Sequence, residues 1–150
     1  MLFRSARGNG IVRGLESAEA LFVVNGPDGY ISPDWYGLPD QVPTWNYLTL
    51  EMQGAVTKMS RETLIAQADA LSLQHETQLA PKPVWTRAKM ADGLFDKMLG
   101  GIFGYEMRIT GWRGTAKLGQ NKSPEARANV ADALEARGQR AMALLMRDLT

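Results

Sequence analysis

The residues best placed to do chemistry stand together in Pro43-Thr44-Trp45-Asn46-Tyr47, at the head of an apolar run. Read with a period of two, Leu48, Leu50, Met52 and Val56 share one face, while Thr49, Glu51 and Gln53 share the other. That is the pattern of a half-buried antiparallel strand reaching to about Val56. Extended backwards, the apolar row meets Asn46 and Thr44. The core-facing side therefore changes from hydrocarbon to hydrogen-bonding groups, flanked by Trp45 and Tyr47. A buried amide costs roughly 1–3 kcal/mol unless it finds partners. Asn46 and Thr44 either satisfy nearby backbone in a loop or form a ligand rim with apolar walls, an aromatic lip and a few placed donors.

Other chemistries have little material. His75 is the sole histidine, at an expected helix end, and no second ligand lies at metal spacing. The chain has no cysteine, so disulfides and thiolate sites are excluded and a hydrolase triad would have to rest on that one histidine. Asp34 and Asp40 read as turn formers in a Pro/Gly-rich loop, and no Gly-rich phosphate loop is present. Lys and Arg number 17 against 16 Asp and Glu, which leaves a net charge of +1 and no basic footprint for nucleic acid. The longest apolar run, Ala20 to Val24, is too short to span a bilayer. A cysteine-free chain with no secretion signal fits a bacterial-type cytoplasm.

The elements that must position these groups follow from punctuation and period. At 150 residues the expectation is a single domain over 1–150. Met1 to Arg7 reads as a short strand, and Ile11 to Leu15 as a helical turn. Ala20 to Val24 is continuously apolar, as a strand covered on both faces would be. Asn25-Gly26-Pro27-Asp28-Gly29 has turn chemistry, so Tyr30 to Ser32 should return as the second arm of a hairpin. A loop from Pro33 to Val42 carries Trp35 and Tyr36. Ser60 caps a helix to about His75, with Leu64, Ala68 and Leu71 on one stripe. A linker around Pro81 and Pro83 precedes a second helix, Ala88 to Leu99, stopped by Gly100-Gly101. Phe103, Tyr105, Met107 and Ile109 alternate with Gly104, Glu106, Arg108 and Thr110 as a one-sided strand. Ser123-Pro124-Glu125 opens a helix carrying Val130 and Leu134, interrupted at Gly138 and continuing through Leu144, Leu145 and Leu149. The class is mainly β with α, an α+β fold ending in a helix.

Three stretches then acquire a joint meaning: Ile31-Ser32-Pro33-Asp34-Trp35-Tyr36, Pro43-Thr44-Trp45-Asn46-Tyr47 and Lys117-Leu118-Gly119-Gln120-Asn121-Lys122. Their order and spacing resemble the PaiB-type family of FMN-binding negative transcriptional regulators, and Ser5-Ala6-Arg7-Gly8-Asn9 is similar to that family's Ala-Arg-x-Asn-Pro segment. The resemblance implies a split β-barrel of the pyridoxamine-phosphate-oxidase-like kind, a homodimer with FMN at the subunit interface, and DNA as a partner. It also implies additional strands before the segment matching Leu2 to Arg7. Gly119 stands where Ser is usual, Ala116 where an aromatic is usual, Lys122 where Arg is usual and Arg4 where His is frequent.

On that resemblance the cofactor-binding residues are Arg7, Thr44, Trp45, Asn46, Lys117, Gln120 and Asn121. Arg7 offers a bidentate fork to phosphate oxygens, or is an ordinary solvated arginine. Lys117 serves a phosphate or the flavin edge, or is a surface lysine. Gln120 and Asn121 supply both donors and acceptors, as a flavin's pyrimidine edge requires, or cap the turn before Ser123. Trp45 is a ring-stacking partner or an interface plug. Three functions compete: an FMN-binding regulator, a flavin-dependent oxidoreductase, and a cofactor-free dimeric interaction module.

Overall fold

The computed structural model describes residues 1–148. Four strands form one sheet among the described residues: β1 (Leu2–Ala6), β2 (Glu19–Ile31), β3 (Thr44–Lys58) and β4 (Ile102–Lys117). Their order is β1-β4-β3-β2. β1 and β4 run antiparallel, with Phe3 opposite Tyr105 and Ser5 opposite Phe103. The helices are α1 (Arg61–Glu76), α2 (Leu94–Leu99), α3 (Pro124–Ala136) and α4 (Arg140–Arg147). The class is the expected α+β. By its contacts the chain divides into two compact units, residues 1–21 with 53–111 and residues 22–52 with 112–150.

In the first unit, α1 is capped as expected, with the Ser60 hydroxyl accepting from the Thr63 N–H. Leu64 is buried over Gly104, while Tyr105 and Met107 are buried and Glu106 and Arg108 exposed. The alternation read along β4 therefore holds from Tyr105 to Arg108 and fails on either side, where Gly104 is buried and Ile109 exposed. Phe3 stacks on Tyr105 with centroids 5.4 Å apart. At Gly54 a Cβ would lie 2.0 Å from the carbonyl oxygen of Arg108, so β3 and β4 meet there at a separation only glycine permits.

The second unit holds a core of Ile31, Tyr36, Leu118, Val130, Leu134, Met142 and Met146, with neighbouring alanines. Ser123 caps α3 by accepting from Ala126 N–H, and Pro124 sits in its first turn. The interruption falls at Gly138, with φ of +80°, before α4 starts afresh. Leu149 lies outside the described residues.

Several expectations are corrected. No hairpin forms at Asn25–Gly29, because β2 runs unbroken through it. β2 is an edge strand, so the missing N–H of Pro27 removes no obligatory ladder bond. Gly26 lets β3 approach, since a Cβ there would stand 2.9 Å from that of Leu48. The apolar run within β2 is not covered on both faces: Leu21, Phe22, Val23 and Val24 are exposed. Leu50, placed on the buried face of β3, is 37% exposed. The helix read over Ala88–Leu99 is a single 3-10 turn, Arg87–Lys89, followed by the shorter α2, because Asp92-Gly93 breaks it with a left-handed Gly93. β4 outruns its expected end at Thr110 and continues to Lys117.

Candidate functional site

In the second unit, the start of β3, the end of β4 and the two loops beside them enclose a cleft of about 320 Å³. Strand alternation sends Thr44 and Asn46 to the same side, and the end of β4 with the turn after it brings Lys117, Gly119, Gln120, Asn121 and Lys122 against them. Asn46 is 1% exposed and forms the floor. Its Nδ2 donates to the Sδ of Met146 at 3.4 Å, a weak acceptor for a fully desolvated amide. A Cβ at Gly119, whose φ is +76°, would stand in ordinary contact with Lys122 Cγ and Met146 Cε, each at 3.8 Å, and with Asn46 Nδ2 at 4.0 Å, so it is the left-handed backbone and not crowding that favours glycine there.

Two ammonium groups line this cleft without an ion pair among the described residues. Lys117 Nζ donates to Thr44 Oγ1 at 2.6 Å. Lys122 Nζ donates to Gln41 Oε1 at 2.5 Å and lies 5.0 Å from the centroid of the Tyr36 ring. Burial raises the Tyr36 pKa above that of an ordinary phenol, so its hydroxyl stays neutral. Neutral hydroxyls and amides holding unpaired cations make a surface that attracts an anionic or electron-rich polar ligand.

Of the expected site residues, Thr44, Asn46, Lys117, Gln120 and Asn121 share this cleft. Gln120 is committed locally: its Oε1 accepts from Leu118 N–H at 2.9 Å and its Nε2 donates to Ala116 O at 2.6 Å. Both bonds run back to the end of β4 and the residue after it. Asn121 is exposed at the rim. Trp45 points the other way, as its place between Thr44 and Asn46 requires. It is 55% exposed, meets Tyr30 edge-on at 6.1 Å, and lines a separate cleft with Asn25, Asp28 and Tyr47. Arg7 belongs to the first unit, where its guanidinium lies 4.4 Å from the Phe103 centroid. Lys122, Gln41 and Tyr36 were not in the expected set. Lys122 and Tyr36 were reachable from their motifs, whereas Gln41 sits in a loop whose only sequence signal was turn chemistry.

The donor set fits FMN. The floor amide has hydrogen-bonding capacity that a sulfur does not satisfy, Asn121 adds a second amide, and the two ammonium groups match a phosphate's charge.

Residues 2–111 match a family model described as "Putative FMN-binding domain". The match includes Arg7, Thr44, Trp45 and Asn46 and ends before Lys117. Over 131 residues the chain is 30% identical to "Protease synthase and sporulation protein PAI 2" of Bacillus subtilis (strain 168), covering 87% of this chain and 62% of that protein. The chain thus spans less than two thirds of that relative's length. Among solved structures, the FAD and heme binding protein from Mycobacterium smegmatis aligns with a TM-score of 0.53 at 17% identity, over 77% of this chain and 52% of that one, which shows a shared fold. The flavocytochrome Anf3 from Azotobacter vinelandii aligns at a TM-score of 0.44 and 16% identity, over 77% and 49% of the two chains.

Proposed function

The chain belongs to the PaiB-type FMN-binding family, and on that premise we propose that it is a cytoplasmic, homodimeric split-barrel regulator holding FMN in the cleft floored by Asn46. The observation that carries the placement is the Asn46 amide, buried at the base of a cleft and paired, among the described residues, with a thioether alone. A ligand offering a carbonyl or ring nitrogen there recovers a hydrogen bond that the protein alone leaves weak. Asn46 and Asn121 would hold the polar edge of the flavin, and Lys117 and Lys122 its negative charge. Thr44 would set the Lys117 ammonium, and Tyr36 would pack against that of Lys122.

FMN supplies the capacity to accept and return electrons, and the residues around it supply binding and orientation. The regulator is preferred to the oxidoreductase on the family membership. Asp40 lines only the loop side of the cleft.

The test is an FMN titration followed by flavin fluorescence. Asn46→Ala combined with Lys117→Ala should abolish saturable binding while circular dichroism and the sedimentation profile stay those of the parent. A double variant that bound FMN with unchanged affinity would place the flavin elsewhere. The regulatory part is checked separately, by whether FMN shifts binding to DNA upstream of the chain's own gene.

A further inference from the structure

We propose that the cleft to which Trp45 turns, in the second unit, binds a small organic cation, an ammonium nitrogen carrying alkyl groups. Asp28, Trp45, Tyr47 and Thr49 line this cavity, and none of them lines the flavin cleft. Along β3, alternation puts Trp45, Tyr47 and Thr49 on the face opposite Asn46. Asp28 reaches the same cavity from β2, the neighbouring strand. The space is about 290 Å³, just below the roughly 300–1,000 Å³ usual for ligand clefts, so the ligand is small.

Asp28 is the residue that calls for a reason. Its surroundings in sequence are turn chemistry, yet β2 runs straight through it, and aspartate is a poor strand residue. Its carboxylate is exposed and meets no cation among the described residues. A carboxylate gains nothing from aromatic faces, because both are negative. What they attract together is a positive charge. Elsewhere the chain supplies that charge itself. Phe103 carries Arg7 and Lys58, Phe95 carries Arg87, Tyr36 carries Lys122 and Trp35 carries Arg137, at 4.1 to 5.9 Å from the ring centroids. Trp45 and Tyr47 have no such partner among the described residues, so the cation at this site comes from outside the chain. A metal ion fits poorly: one carboxylate is too few ligands, and no group of three acidic or histidine ligands stands among the described residues. An alkylated ammonium fits, since its methyl groups pack on aromatic rings while its charge faces the ring electrons and Asp28.

The test uses the full chain with choline as the probe, followed by calorimetry and by the proton resonance of its methyl groups, which ring faces shift upfield. Saturable binding is expected, and the neutral isostere with carbon in place of nitrogen should bind at least about tenfold more weakly. Asp28→Asn keeps the shape of the side chain and should weaken choline about threefold, the scale of an exposed charge pair. Trp45→Ala should weaken it about fivefold and remove the upfield shift. Asp28→Lys sets a cation of the chain's own beside the rings and should abolish binding. FMN affinity should be unchanged in Asp28→Asn. An isostere that binds as well as choline overturns the proposal, leaving only an apolar cleft. So does choline binding that is undiminished in both Asp28→Asn and Trp45→Ala, or its absence from the parent. If Asp28→Asn instead turns a parent dimer into a monomer, Asp28 already pairs with a basic side chain of a second copy, and the proposal falls. A parent that binds choline but no FMN would sink the flavin reading and leave this one standing.

Discussion

Asn46 carries an amide into a hydrocarbon core and finds a methionine sulfur there. Its side was legible from the period of β3, because alternation sets which face a residue takes once one neighbour's face is known. Its partner was not, since Met146 lies 100 residues further on. Tyr105 shows the converse problem in the first unit. Its ring is fully buried against Phe3, yet its hydroxyl has no hydrogen-bond partner among the described residues. An unpaired buried hydroxyl costs roughly 1–3 kcal/mol. Tyr105→Phe is therefore expected to raise thermal stability, by up to about that amount. A fall of the melting temperature by several degrees would mean that the hydroxyl is satisfied.

At the scale of elements, the helix starts were legible because capping is local chemistry within four residues, as at Ser60 and Ser123. The course of β2 was not, because turn residues bend a chain only where no neighbouring strand holds it extended. Gly54 tests how tightly β3 and β4 are joined. A Cβ at that position would overlap backbone rather than a flexible side chain. Gly54→Ala should cost about 1–3 kcal/mol or more, read by chemical denaturation. A neutral result would show that the strands separate without penalty.

The segment after α1 carries a pH-dependent contact. The Glu76 carboxylate is held below the ordinary range first by its hydrogen bond from Lys82 and then by the Trp85 N–H, the latter at 2.9 Å. A carboxyl with a lowered folded pKa stabilises above its unfolded value of about 4.3, and that contribution is lost as pH falls through the folded value. Amide exchange at Trp85 should accelerate on acidification below that range, and Glu76→Gln should remove the pH dependence. Exchange in the parent that ignores pH between about 5 and 3, after correction for intrinsic rates, would show that the carboxylate does not hold the segment.

On the scale of the whole molecule, the exposed apolar surface is the informative feature. In the second unit Phe22, Val23, Val24, Trp45, Leu50 and Trp112 all stand open, Trp112 at 75%, and Val24, Leu48, Leu50 and Ala116 line a trough of about 460 Å³. Surface of this kind marks an interaction site, and a second copy is the occupant the proposed homodimer requires. Sedimentation should therefore report twice the mass of the chain. Trp112→Glu should shift it to the monomer without loss of secondary structure, because that residue is exposed in the single chain. A parent that sediments as a monomer at micromolar concentration would remove the dimer from the proposal. No helix among the described residues is long and apolar enough to cross a membrane.

By itself the sequence determined the α+β class, the caps at Ser60 and Ser123, the burial of Asn46 and Val56 on β3 and of Tyr105 and Met107 on β4, and the motifs that pointed to a PaiB-type chain. These depend on local propensity, on period and on residue order, all of which are one-dimensional. Only the tertiary structure decided that Lys122, Gln41 and Tyr36 join Asn46, that Trp45 turns to another cleft, and that Arg7 and Lys58 converge on Phe103. Those are meetings between residues far apart in the chain. Their free energy comes from packing and charge in three dimensions, which neither spacing nor composition records.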